Sequence, residues 1–160
     1  EVDETLPAEV HPREGVEILA VRKGEAVAAD RHCALVISSD TLVEKDGVPL
    51  GKPTDREDAK RMLRLLSGDS HNVHTGVAVH YKGRLYSGVS TPEVSFRQLD
   101  DGEILEYIDS GEPMDKAGSY GIQGNGCVLV KGIEGDYFNV VGLPVRRLYE
   151  TLKLVFGIHL

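Results

Sequence analysis

Two carboxylates and three lysines stand in stretches where no feature of a soluble fold demands them. Glu4 lies in "DET", Lys23 in "AVRKGE", Asp40 in "SSDT", Lys52 in "GKP" and Lys116 in "EPMDKAGSYGIQGNG". Carboxylates that hold a hard cation and orient water, together with lysines that neutralise phosphate oxygens, are the groups that hydrolysis of a phosphoanhydride needs. The five are spread over most of the chain, so a fold must gather them. Asp40 comes almost directly off the apolar run "CALVI". Ligands collect where strands of open α/β sheets end, which would put Asp40 and Thr41 at such an edge. The plainer alternative is an aspartate that caps a turn. Lys23 offers a similar choice, because Val16, Leu19, Ala20, Lys23 and Val27 recur at helical spacing and leave a lysine on an otherwise apolar face. Either it snorkels to the helix edge, or its ammonium points into a cleft and meets an anion.

Other chemistries find less support. His71 and His74 lie three apart with no third ligand at a familiar spacing, so they do not read as a metal pair. The run "GIQGNG" lacks the G-x-G-x-x-G order and a strand-turn-helix setting, which excludes a dinucleotide fingerprint, and no phosphate loop of the G-x-x-x-x-G-K-[ST] type occurs. Its glycines either let the backbone approach a ligand or make a bland flexible loop. A net charge of -8 argues against binding to a nucleic-acid backbone, although an acidic site can hold a divalent cation that carries phosphate oxygens. Cys33 and Cys127 are far apart, with no C-x-x-C, and favour a reducing compartment such as the cytoplasm. No apolar run approaches membrane-spanning length.

The elements that must position these residues follow from periodicity. With 160 residues, 41% hydrophobic and 28% charged, one domain over residues 1–160 is expected. A helix over Arg13 to Asp30 carries Lys23, and a strand over "CALVI" ends at Asp40. In "TDREDAKRMLRLLSG", Thr54 and Glu57 read as a capping box, with Ala59, Met62, Leu63 and Leu66 inward and Gly68 as the stop. Val73, Thr75, Val77 and Val79 alternate, turn at Lys82 and Gly83, and resume toward Phe96, which predicts antiparallel pairing. Asp100 and Glu103 cap a helix bearing Ile104, Leu105 and Ile108, and Pro144 opens a last one with Val145, Leu148, Tyr149 and Leu152 inward. Helices alternating with hairpins imply an α/β fold with a mixed sheet.

Taken in order, "DET", "SSDT", "GKP", "LSGDSHNVHTGVAV", "EPMDKAGSYGIQG" and "NVVGLP" resemble the Maf-like nucleoside triphosphate pyrophosphatases over essentially the whole chain. The resemblance implies an elongated mixed β-sheet flanked by helices, with two lobes around a cleft, similar to the inosine triphosphate pyrophosphatases. It implies cleavage of a nucleoside triphosphate to monophosphate and diphosphate with Mg²⁺ or Mn²⁺, as house-cleaning of the nucleotide pool, in a cytoplasmic homodimer with no nucleic-acid or membrane partner. Carried over by position, Asp40 is the proton acceptor that activates water and Glu4 its metal partner. Lys23 and Lys52 hold phosphates, and Lys116 joins them as a substrate-binding residue.

Two further positions bear on the base. Thr41 and Gln123 resemble those of the branch acting on dTTP and UTP, and a glutamine amide can both donate and accept toward the imide edge of uracil or thymine. The alternatives are a 7-methyl-GTP pyrophosphatase, or a regulatory, septum-inhibiting binding protein with weak or lost catalysis. One departure from the family pattern stands out. Family members begin with a strand and a Ser-x-Ser-Pro-Arg-Arg loop whose side chains contact phosphates, and here that strand and loop are expected to be missing.

Overall fold

The computed structural model describes every residue except 1, 8, 32 and 160. Helix α1 (Pro12–Ala28) starts where His11 turns its imidazole Nδ1 back to accept from the N–H of Arg13, with Pro12 in the first turn. Strands β1 (Val36–Lys45) and β2 (Val48–Leu50) form a hairpin through Asp46 and Gly47, both at positive φ. Helix α2 (Arg56–Leu66) is followed by β3 (Ser70–Tyr81), which turns at Lys82 and Gly83 into β4 (Arg84–Ser90). After β5 (Glu93–Phe96) comes α3 (Asp101–Asp109), with the expected capping box of Asp100 and Glu103. Three short 3₁₀ turns, at Glu112–Asp115, Ala117–Ser119 and Asn125–Leu129, lead to β6 (Val130–Glu134), α4 (Tyr137–Val141) and α5 (Val145–Phe156).

The sheet runs β2-β1-β3-β5-β6, with β4 beside the second half of β3. All five pairings are antiparallel where a mixed sheet was expected. The reason lies in β1. Its strand does not end at Asp40 but continues to Lys45, and it hairpins into β2 instead of crossing over to a parallel neighbour. Asp40 pairs with Gly76 in mid-strand, so neither a strand end nor a turn cap describes it. The polar run can stay in the strand because Ser38, Asp40 and Thr41 each have a side-chain partner. The Ser38 hydroxyl donates to the Ala20 carbonyl at 2.6 Å, and the Thr41 and Thr75 hydroxyls meet at 2.9 Å.

Helix α1 covers one face of β1 and β3 and approaches closely, since a Cβ on Gly76 would lie 2.3 Å from the Val16 carbonyl oxygen. On the other face, α2 and α3 bury Leu63, Leu66, Ile104 and Ile108 against Val73 and Phe96 at one end. At the far end Leu148 and Leu152 of α5 cover Val79. These two clusters are the two lobes; between them α4 packs on the middle of β3, and the half-buried middle of β1 borders the cleft. Val27, Leu105, Val145 and Tyr149 are exposed although their periodicity points inward. Spacing gives the face of a helix, not how far the covering surface extends.

Candidate active site

The close approach of α1 to the sheet brings Lys23 onto Asp40. Its Nζ donates to Asp40 Oδ1 at 2.6 Å and pairs with Glu4 Oε1 at 2.9 Å. The Lys23 face of α1 therefore ends in a carboxylate pair, which decides between the two sequence readings in favour of an inward ammonium meeting anionic oxygens. Asp40 is 15% exposed and Glu4 61%, so the pair reaches from a half-closed recess out to solvent. Burial pushes the Asp40 carboxyl above the usual carboxylate range, outweighing the Lys23 ammonium that pulls it down, and Glu4 adds to the rise. Burial also works against charge on Lys23, but its bonds to Asp40 and Glu4 hold it above the usual lysine range.

Arg22, which the sequence reading passed over, fixes the acidic segment. Its Nη1 donates to the backbone carbonyls of Thr5 at 2.8 Å and Asp3 at 3.3 Å, while the Asp3 carboxylate accepts from the N–H of Thr5. Glu4 is thereby held over the neighbouring lysine. The signal available was only adjacency, an arginine beside Lys23.

The remaining candidates lie on the opposite face. Successive strand residues point to opposite sides of a sheet, so Thr41 turns away from Lys23 toward a cavity of about 550 Å³ between the lobes. Lys52, Lys116 and Gln123 line the same cavity, with Val73 and Val140 as part of its apolar wall. Thus Glu4, Lys23 and Asp40 are brought together, and Thr41, Lys52, Lys116 and Gln123 are brought together, in two groups back to back across β1. The two groups come together at Asp40 and Thr41, adjacent residues of β1.

The cavity's polar parts have their own supports. The Lys116 ammonium pairs with Asp115 at 2.6 Å, and the Gly118 N–H donates to the Gly51 carbonyl at 3.1 Å, tying the Gly-Lys-Pro loop to the 3₁₀ turn. The Thr75 hydroxyl donates to the Asn139 carbonyl at 2.9 Å, so the proton between Thr75 and Thr41 belongs to Thr41. Thr41 Oγ1 then offers only lone pairs to a ligand. His71 and His74 face opposite sides of β3, the first bonded to the Tyr120 hydroxyl at 2.8 Å and the second to Glu44 at 2.7 Å.

Fold and cleft together define a two-lobed α/β protein whose strand β1 carries an acid-lysine cluster on one side and a mixed polar and apolar cavity on the other. The family model described as "Maf-like protein" matches residues 1–155, and the chain belongs to that family. It is 51% identical over 158 residues to the dTTP/UTP pyrophosphatase of Salinibacter ruber, covering 97% of this chain and 78% of the relative. It is 46% identical over 153 residues to the dTTP/UTP pyrophosphatase of Bacillus cereus strain G9842, covering 96% and 80%. With the protein of the same name from Bacillus velezensis the identity is 49% over 151 residues, covering 94% and 80%.

Proposed function

We propose that this chain is a nucleoside triphosphate pyrophosphatase that cleaves dTTP and UTP to the monophosphate and diphosphate. The observation that carries the reading is the Lys23 ammonium held between Asp40 and Glu4 on one face of β1, with a nucleoside-sized cavity on the other. Relatives named dTTP/UTP pyrophosphatase, about half identical over nearly the whole chain, support the substrate class.

In this reading the base occupies the cavity and the triphosphate extends past β1 toward Asp40. Lys52 and Lys116 neutralise phosphate oxygens on the cavity side and Lys23 does so on the other. Asp40 takes a proton from water, the water oxygen bonds to phosphorus, and the anhydride between the α- and β-phosphates breaks. A buried carboxylate that is a stronger base than usual suits this role. Thr41, with lone pairs to offer, fits the N3–H of uracil or thymine and not the unprotonated N3 of cytosine, and the Gln123 amide can donate to a neighbouring carbonyl.

Among the described residues no three His, Cys, Asp or Glu side chains form a closed metal cage. A pair of carboxylates is nevertheless what Mg²⁺ commonly takes from a protein when phosphates supply further oxygens, and Glu4 with Asp40 fits that pattern. Such a cation would neutralise charge on the phosphates. Cys33 and Cys127 are both exposed and unpaired, which supports a reducing compartment such as the cytoplasm. No helix of the described residues is long and apolar enough to cross a membrane.

The test is diphosphate release from UTP and dTTP with Mg²⁺, with and without EDTA, for the parent and Asp40→Asn. We expect EDTA to stop turnover, and the substitution to lower kcat on the order of a hundredfold or more with little change in Tm. Undiminished turnover in the variant would remove Asp40 as the base.

A further inference from the structure

The segment 121–126 carries Gln123 into the cavity; Ile122 packs against the core and Gly126 is buried, but the middle of the segment is not packed. Gln123, Gly124 and Asn125 are exposed. Gly124 lines the cavity described above and also a second one of about 500 Å³ on its far side, toward Arg97 and Glu106. The segment is thus a thin wall with open space on both sides. It includes Gly121, Gly124 and Gly126, and ordering glycine backbone costs more entropy than ordering any other residue. Apolar contact alone does not fix such a wall.

Hydrogen bonds supply the missing order. Glu112 Oε2 accepts from the Asn125 N–H at 2.8 Å, while Oε1 accepts from the Gly126 N–H at 3.0 Å and from the Tyr107 hydroxyl at 2.9 Å. The Tyr107 oxygen in turn accepts from the Gly121 N–H at 3.0 Å. Both ends of the segment are therefore tied to one carboxylate and phenol pair, with Gln123 between them. Gly124 is part of the fit, since a Cβ there would lie 2.3 Å from Glu112 Oε2. Burial opposes charge on Glu112, but the N–H groups of Gly126 and Asn125 and the Tyr107 hydroxyl hold its carboxyl below the usual range. Burial pushes the Tyr107 hydroxyl up, so it keeps the proton it donates. An ionised Glu112 beside a protonated Tyr107 satisfies all four bonds.

We propose that Glu112 and Tyr107 are positioning residues for base selection, clasping the 121–126 segment so that the Gln123 amide meets the pyrimidine edge in one fixed orientation. The inference rests on the reading of the cavity as a nucleotide site. A recognition group rejects a mismatched base only while its donors and acceptors are held in place, because a mobile amide turns to suit the wrong partner. Freeing the segment should therefore weaken selection before it weakens chemistry, which depends on Asp40 on the opposite face of β1.

The experiment measures kcat and KM for UTP, dTTP, CTP and GTP, and amide hydrogen exchange across 121–126, in the parent, Glu112→Gln and Gln123→Ala. Glutamine keeps the shape of Glu112 but turns an NH₂ toward a backbone N–H, so at least one bond is lost. In Glu112→Gln we expect the preference for UTP over GTP to shrink about tenfold, chiefly through a higher KM for UTP, with kcat within about threefold of the parent. Exchange at Asn125 and Gly126 should quicken. Gln123→Ala should lose the same preference without faster exchange, which separates the reading group from its support. Unchanged nucleotide ratios in Glu112→Gln overturn the proposal, and so does unchanged exchange. Should Glu112→Gln not fold, Tyr107→Phe makes the same comparison at Gly121 by removing a single hydroxyl. A parent that turns over none of the nucleotides removes the functional reading and the clasp's role with it. A parent that selects UTP beside variants that select equally removes the clasp alone.

Discussion

The proton affinity of Asp40, the proposed base, is set by two opposed influences, and their balance can be read in a pH profile. Burial raises the carboxyl and Lys23 lowers it, and burial wins. Below the resulting pKa Asp40 already carries a proton and cannot take one from water. The kcat/KM for UTP should therefore rise with pH along a limb centred above the ordinary carboxylate value of about 4, and Asp40→Asn should show no such limb. A limb at or below that value would mean that Lys23, or Mg²⁺ bound beside it, prevails over burial. Glu4, Lys23 and Asp40 stand out in the sequence by chemical type, whereas Gln123 is singled out only by the family resemblance. Arg22 and Glu112 do not stand out, because they act on backbone carbonyls and N–H groups, which every residue carries. No spacing rule marks a side chain whose partner is another residue's main chain.

Element by element, legibility follows how local the deciding contacts are. The capping box of α3 is a matter of four adjacent residues, and Asp100 and Glu103 take the expected roles. In helix α2 the cap lies one position beyond the expected Thr54. Asp55, not Thr54, is its N-cap and accepts from the Asp58 N–H, while Thr54 donates to the Asp58 carboxylate from outside the helix. Both residues are good caps, so type alone could not choose between them. Asp55→Ala should lower folding stability by about 1 kcal/mol and Thr54→Ala by clearly less. Urea unfolding of the two variants checks this, and the reverse order would restore the original assignment. Strand β1 was cut short at Asp40 for the opposite reason. What keeps Ser38, Asp40 and Thr41 in a strand is α1 and β3, distant in sequence.

At the scale of the whole molecule, the α/β class was legible from alternating patterns, but the division of the site between two sheet faces was not. That division depends on the register of β1 against β3, which brings Gly76 beside Asp40 and so admits α1. The same register sends His71 to the other face, into the core between Phe96 and Tyr120. Burial there, assisted by the Lys45 charge, lowers its pKa from 6.5 to about 4, while Asp69 pulls the other way. The consequence is global. In the unfolded chain the imidazole takes a proton as pH falls below its ordinary value, whereas in the folded chain it resists until about 4. Protons in that window favour the unfolded chain, so this contribution is fully present above pH 6.5 and declines as pH falls toward 4. The loss should be on the order of 2 to 3 kcal/mol. Asp40, raised in the fold, works in the opposite sense, so the contribution of His71 is read from a difference between proteins. Urea midpoints of the parent and His71→Phe at several pH values supply it. The variant forfeits the bond to Tyr120 and so has a lower stability at neutral pH, but its stability should fall less steeply between pH 6.5 and 4. Parallel slopes would show that His71 takes up its proton in the folded protein as readily as in the unfolded one.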